Sequence, residues 1–293
     1  MANLDFLSDL RHLATLELTM FGYPPSPSDD VDTVLGNLLN LRRRLPRVIP
    51  WKMELSSEVE NKTLPPAIQE GLTGFIEKAR TGEDLKPYLS KGINDPSYSD
   101  LMFYDWGIYH FHLGKELERS GFIKRTNELL FAVTDQPPTT MYLVDIHPHA
   151  GAFANQDLLR ILEENWPVIM DQHALQDVVE LDYNPSDEAI GRLRKAGINA
   201  FLRTPGGRTL APMGGGITSA GTSLSSMRDI LKIKKIVRKL QDEIPKNRNA
   251  MADQFRAQYN KSWDDLEIRM TAFGAHIEVR EITTGEILLR QGI

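Results

Sequence analysis

Apolar residues recur at helical spacing from the start of the chain. Leu4, Leu7, Leu10, Leu13, Leu16 and Leu18 mark a broad face of an amphipathic helix over 4–20. The stretch YPPSPSDD (23–30) breaks it and supplies caps for a second helix, over about 31–45. That helix ends in Arg42, Arg43 and Arg44, which complement the negative end of its dipole; a nucleic-acid contact is the alternative. Residues 47–56 read as extended, and Pro50 places them at a sheet edge. Pro65 and Pro66 open a helix over about 66–81, with a further turn in EDLKPYLS. The polar loop GINDPSYSD leads into three strand-like runs, 102–113, 128–135 and 140–147, the last two joined through QPPT as a hairpin. A helix over 155–166 follows, with Asn155 as its cap and Pro167 as its stop.

The pattern changes after about 173. DEAIGRLRKAG predicts a helix ending at Gly197, and NAFLRTPGGRTLAP a hairpin around Pro205-Gly206-Gly207. A glycine-rich loop, MGGGITSAGTS, precedes a long helix over about 226–243. FGAHIEVREITTGEILLRQG predicts a hairpin turning at Thr284-Gly285. Three segments are therefore expected: 1–46 as N-terminal helices, 47–172 as a small α+β core, and 173–293 as a C-terminal α+β module.

Composition narrows the function classes. A length of 293 residues suffices for a core without disulfides or metals. The net charge of −6 argues against wholesale nucleic-acid coating but leaves room for a local basic patch. The absence of cysteine excludes thiolate nucleophiles and thiolate zinc sites. Asp5 and Asp9 interrupt the N-terminal apolar residues, unlike a signal peptide, and no stretch nears the ~20 apolar residues of a membrane span. These features lead to the expectation of a soluble cytoplasmic protein.

The histidines carry the candidate chemistry. His110 and His112 stand in WGIYHFHLG; Asp145, His147 and His149 stand in YLVDIHPHAG. Side chains at i and i+2 of a strand share a face, so adjacent strands would bring five titratable groups together. Histidine suits proton transfer or metal binding near neutral pH.

The runs YHFHLG, FIKRTNELLFAVTD, MYLVDIHPHAG and NQDLL, in this order, resemble the RelE/ParE superfamily of small bacterial toxins, over about residues 47–160. Many members are ribosome-associated mRNA interferases, and one branch uses histidines in place of the usual Arg and Lys. The resemblance implies a RelE-like core with functional residues at His112 (or His110), Arg125, and His147 or His149. It also implies RNA as partner, and a protein inhibitor or antitoxin. Metal-free RNA cleavage needs a base, an acid and a cation for the phosphorane-like charge. His112, His149 and Arg125 fill these roles, with Asp145 orienting a histidine.

A divalent-metal site drawing on His110, His112, His147 and His149 is the alternative. DIHPHAG fits the D-x-H-x-H-x-G string of amidohydrolase-type enzymes, but those require a (β/α)₈ barrel that the segment after 151 does not provide. HFHLGKE similarly resembles only one of the two cupin motifs.

Two further features lie outside this core. Amides of Gly214, Gly215, Gly216 and Thr218, ahead of a helix, are candidates for phosphate binding; a tightly packed turn is the alternative. Arg228, Lys232, Lys235 and Lys239 share a helix face suited to RNA backbone contacts, or to solvent alone. The overall expectation is an α+β protein acting as a metal-independent ribonuclease, a growth-arresting or defence toxin. The rivals are a metal-dependent hydrolase and a non-catalytic binding or regulatory protein.

Overall fold

Side-chain caps and glycines set the element boundaries. Asp5 accepts a hydrogen bond from the Ser8 amide (3.0 Å) and starts α1 (Phe6–Met20); α2 (Val31–Arg44) follows. β1 (Lys52–Leu55) leads into α3 (Ser57–Glu60), capped by Ser56, and α4 (Pro66–Thr81) has proline at its first position. The computed structural model describes residues 4–135, 137–178 and 180–292.

The strand expected over 102–113 divides in two. Asp100 accepts from the Phe103 amide (3.1 Å) and caps α5 (Leu101–Trp106), which ends at Gly107 in the left-handed region (φ 69°). Only β2 (Tyr109–His112) remains extended. The aromatic residues that suggested a strand are buried on the short helix instead. β3 (Glu128–Thr134) and β4 (Thr140–Pro148) then form the expected antiparallel pair. Next come α6 (Asp157–Asn165), α7 (Pro167–Asp171), α8 (Asp187–Lys195) and the short hairpin β5 (Leu202–Arg203) and β6 (Thr209–Leu210). The chain closes with α9 (Leu224–Lys246), α10 (Arg248–Tyr259), β7 (Ile268–Ala272), β8 (His276–Glu281) and β9 (Ile287–Gly292). The fold is α+β.

Two compact units result, and their boundaries differ from the three consecutive segments expected. Residues 41–225 form one unit; residues 4–40 and 226–292 form the other. The N-terminal helices therefore fold with the C-terminal sheet rather than alone. Within that unit Gln241 accepts from the Phe6 amide (2.8 Å), Asp9 accepts from the Met270 amide (2.9 Å), and β7-β8-β9 pair antiparallel.

The other unit is built on a four-stranded sheet of order β1-β4-β3-β2. β1 runs parallel to β4 at the edge, outside Pro50; the remaining pairs are antiparallel. Leu129, Phe131 and Val133 alternate onto one face and pack with Leu158, Ile161 and Leu162 of α6. Ile190, Leu202 and Leu210 join this core, which is why residues 173–225 belong with the sheet. On β2, Phe111 meets Phe75 of α4 with ring centroids 4.8 Å apart.

Candidate active site

His110, His112, Arg125 and His149 line one cleft of about 360 Å³. Three separate chain segments deliver them. Both β2 histidines face one side of the sheet, as the i, i+2 rule requires. Thr126 fixes the segment that bears Arg125: its hydroxyl accepts from the Leu113 amide (3.0 Å) and donates to the Glu128 carbonyl (2.6 Å). His149 lies just past β4, where its amide donates to the Asn127 carbonyl (2.7 Å). A turn at 152–154 then places the Phe153 ring edge-on to both His110 and His149, each at 5.0 Å between centroids.

The histidines differ in environment. His112 is 2% exposed, and the Thr126 amide donates to its Nδ1 (3.3 Å). Its neutral form therefore carries the proton on Nε2. Burial, reinforced by the Arg125 charge, pushes the His112 pKa down to about 4. Burial also lowers the His110 pKa, against the opposing pull of Asp100, whose Oδ2 lies 3.8 Å from Nδ1. His149 and Arg125 are exposed at the cleft, and no described carboxylate forms an ion pair with Arg125.

Asp145 and His147 do not join this cleft. β3 lies between β2 and β4, so the two histidine strands are not neighbours. His147 Nε2 sits 2.8 Å from Asp145 Oδ2, and Lys62 Nζ 2.6 Å from Asp145 Oδ1, forming a separate charged cluster. Burial raises the Asp145 pKa, but the approach of His147, Lys62 and the Ile146 amide outweighs it, and the net shift is downward. The four histidines therefore do not form the alternative metal site: among the described residues no group of three His, Cys, Asp or Glu converges as a metal requires.

The glycine loop is also not a phosphate cradle. The Gly214 and Gly216 amides donate to the Asp105 and Tyr104 carbonyls (2.8 Å each). The Gly215 and Thr218 amides bond to Pro212 (2.9 Å) and Thr222 (2.8 Å). A Cβ on Gly214 would lie 2.1 Å from the Phe103 carbonyl oxygen. The glycines thus allow close packing on α5, and the four amides are already bonded. Arg228, Lys232, Lys235 and Lys239 are exposed on α9, opposite its buried Ile230, Ile233, Val237 and Leu240. Lys239 reaches Glu243 at 3.6 Å. This face belongs to the other compact unit, not to the histidine-bearing one.

Arg194 is the functional candidate that sequence reasoning missed. It stands on α8, lines the cleft and is 5% exposed. Its Nε bonds Asp105 (2.7 Å), another N–H bonds the Phe153 carbonyl, and its guanidinium stacks 4.0 Å over Trp106. Its Nη2 is buried with no hydrogen-bond partner among the described residues. In DEAIGRLRKAG nothing distinguishes it from a solvated arginine; only tertiary packing reveals it.

Comparison with protein-family models, with curated proteins and with solved structures finds no match for this chain. No described helix is long and apolar enough to cross a membrane.

Proposed function

We propose that this protein is a metal-independent ribonuclease, acting in the cytoplasm as a growth-arresting or defence toxin, with the histidine cleft as its catalytic centre. The observation that carries this reading is the convergence of His110, His112, Arg125 and His149 from three chain segments on one cleft. The succession of strand, helices, three strands and helix over 52–165, which the RelE/ParE resemblance leads one to expect, adds support.

In this reading His110 accepts the 2′-hydroxyl proton. Asp100, its Oδ2 3.8 Å from Nδ1, supplies a negative charge that favours the protonated imidazole formed in this step. The O2′–P bond forms as the P–O5′ bond breaks, and His149 gives a proton to the departing 5′-oxygen. The products are a 2′,3′-cyclic phosphate and a 5′-hydroxyl end. Neutral His112 donates from Nε2 to a phosphoryl oxygen, a role distinct from the acid or base the sequence suggested, because its Nδ1 is already occupied. Arg125 and Arg194 offset the charge that builds on phosphorus.

The test is incubation of the purified chain with structured and unstructured RNA in EDTA, alongside His112→Ala and His149→Ala. Cleavage by the wild type, reduced at least about 100-fold in each variant, is expected. Equal cleavage by all three overturns the assignment.

A further inference from the structure

The polar loop GINDPSYSD, which supplies Asp100 to the histidine cleft, carries one aromatic residue, Tyr98. Tyr98 lines the same cleft and is 45% exposed. The cleft's phenylalanine, Phe153, is half-buried and already meets two histidine rings. Tyr98 is held from several sides. Its amide donates to the Asp95 carbonyl (3.1 Å), and its carbonyl accepts from the Tyr104 hydroxyl (3.0 Å). A Cβ placed on Gly92 would lie 3.2 to 3.3 Å from three consecutive ring atoms, Cδ1, Cε1 and Cζ. Such near-equal distances mean that Gly92 backs a face of the ring rather than its edge. Arg44 is 4% exposed, bonds the Gly92 carbonyl (3.3 Å) and places its guanidinium 5.7 Å from the ring centroid, within cation–π range. The ring is therefore oriented in advance, and a second flat ring stacking on its exposed surface costs little further ordering.

Charge adds the second half of the argument. Arg125 and Lys195 are exposed on the cleft lining, and no described carboxylate forms an ion pair with either. Exposed cations beside an exposed aromatic ring suit a single nucleic-acid strand, with phosphates on the cations and a base on the ring. We propose that Tyr98 is a base-stacking platform, so that the cleft takes an unpaired nucleotide with its base on Tyr98 and its phosphates on Arg125 and Lys195. A base inside a duplex has neighbours on both faces, whereas an unstacked one can offer a face to the protein. The cleft, at about 360 Å³, lies at the small end of ligand pockets, which suits one nucleotide rather than a duplex. The proposal rests on the ribonuclease reading for the choice of RNA, but the stacking is read out by binding alone.

The experiment is fluorescence anisotropy with a short, labelled 2′-O-methyl RNA, whose blocked 2′-oxygen prevents cleavage. The protein is the full chain carrying Lys232→Glu, Lys235→Glu and Lys239→Glu, which removes the exposed cations of α9. The comparison probes are a strand of equal length without bases and the same sequence as a duplex. The complete single strand is expected to bind at least about fivefold tighter than either. Tyr98→Leu should weaken it by about five- to 150-fold, the range that base–aromatic stacking spans, whereas Tyr98→Phe and Tyr98→Trp should retain binding within about threefold. Lys195→Glu, at an exposed position, should reduce the slope of log K against log salt by about 0.7. A base-less strand or a duplex bound as tightly as the complete single strand, Tyr98→Leu matching Tyr98→Phe, or an unchanged slope in Lys195→Glu overturns the proposal. Cleavage of ordinary RNA is assayed in parallel. Its absence beside Tyr98-dependent binding removes the nuclease reading and keeps the stacking site; cleavage beside Tyr98-independent binding does the reverse.

Discussion

His112 and His147 occupy one cross-strand row of the sheet, with Leu129 of β3 between them. They share a face, yet an apolar residue separates them. His112 opens onto the cleft, whereas His147 turns to Asp145 and Lys62. Two HxH runs that look equivalent in sequence therefore have different surroundings.

Alanine at His110 or His149 should lower RNA cleavage by about 10²–10⁴, the usual worth of an acid or base group. His147→Ala should leave it within about threefold, because His147 does not line the cleft. Single-turnover cleavage assays compare the three. An equal loss at His147 would contradict the division of the cluster.

Stability should fall in mild acid through His112. Its folded pKa is depressed to about 4, against 6.5 for an ordinary histidine. Between those values the unfolded chain binds more protons than the folded one, so stability rises with pH across that window and is lost as pH falls through it. The contribution is on the order of 3 kcal/mol. Urea midpoints from pH 7 to pH 4 should decline less steeply for His112→Gln than for the wild type. Parallel curves would contradict a buried, neutral His112.

Much of this fold was legible because local signals were strong. The periodicity in 4–20, the prolines opening α4 and the Thr284-Gly285 turn all found their elements. The 102–106 run misled because its aromatic and apolar residues suit a buried helix as well as a strand, and the deciding cap, Asp100, lies in the polar loop before it. The candidate site was legible where one strand carried it, as at His110 and His112. Strand order was not: only tertiary pairing places β3 between β2 and β4. Arg194 and the close packing at Gly214 depend on distant segments meeting, which spacing does not encode.

Gly214→Ala should destabilise the protein by about 1–3 kcal/mol, the range for overpacking, since the new Cβ would meet the Phe103 and Tyr104 carbonyls. Thermal melting reads the effect. A melting point within a degree of wild type would show that the loop does not pack tightly on α5. Gly221→Ala faces open space and strains only the backbone, at φ 75°, so it should cost less.

If α9 binds RNA, its exposed cations act through the phosphate backbone. The combined Lys232→Glu, Lys235→Glu and Lys239→Glu variant should bind single-stranded RNA more weakly. The slope of log K against log salt should shrink by about 0.7 for each phosphate that the variant no longer neutralises. Fluorescence anisotropy at several salt concentrations measures both. An unchanged slope would assign this face to solvent.

The most direct test of the central claim is the chemistry of the cut ends. An RNA oligonucleotide is incubated with the protein in EDTA, and the fragments are analysed by mass spectrometry, beside the same strand carrying a single 2′-deoxy nucleotide at the mapped cut. Histidine acid–base catalysis in this cleft predicts 2′,3′-cyclic phosphate and 5′-hydroxyl ends, and no cut at the deoxy position. Cleavage that survives the deoxy substitution, or no cleavage of any RNA, would contradict it.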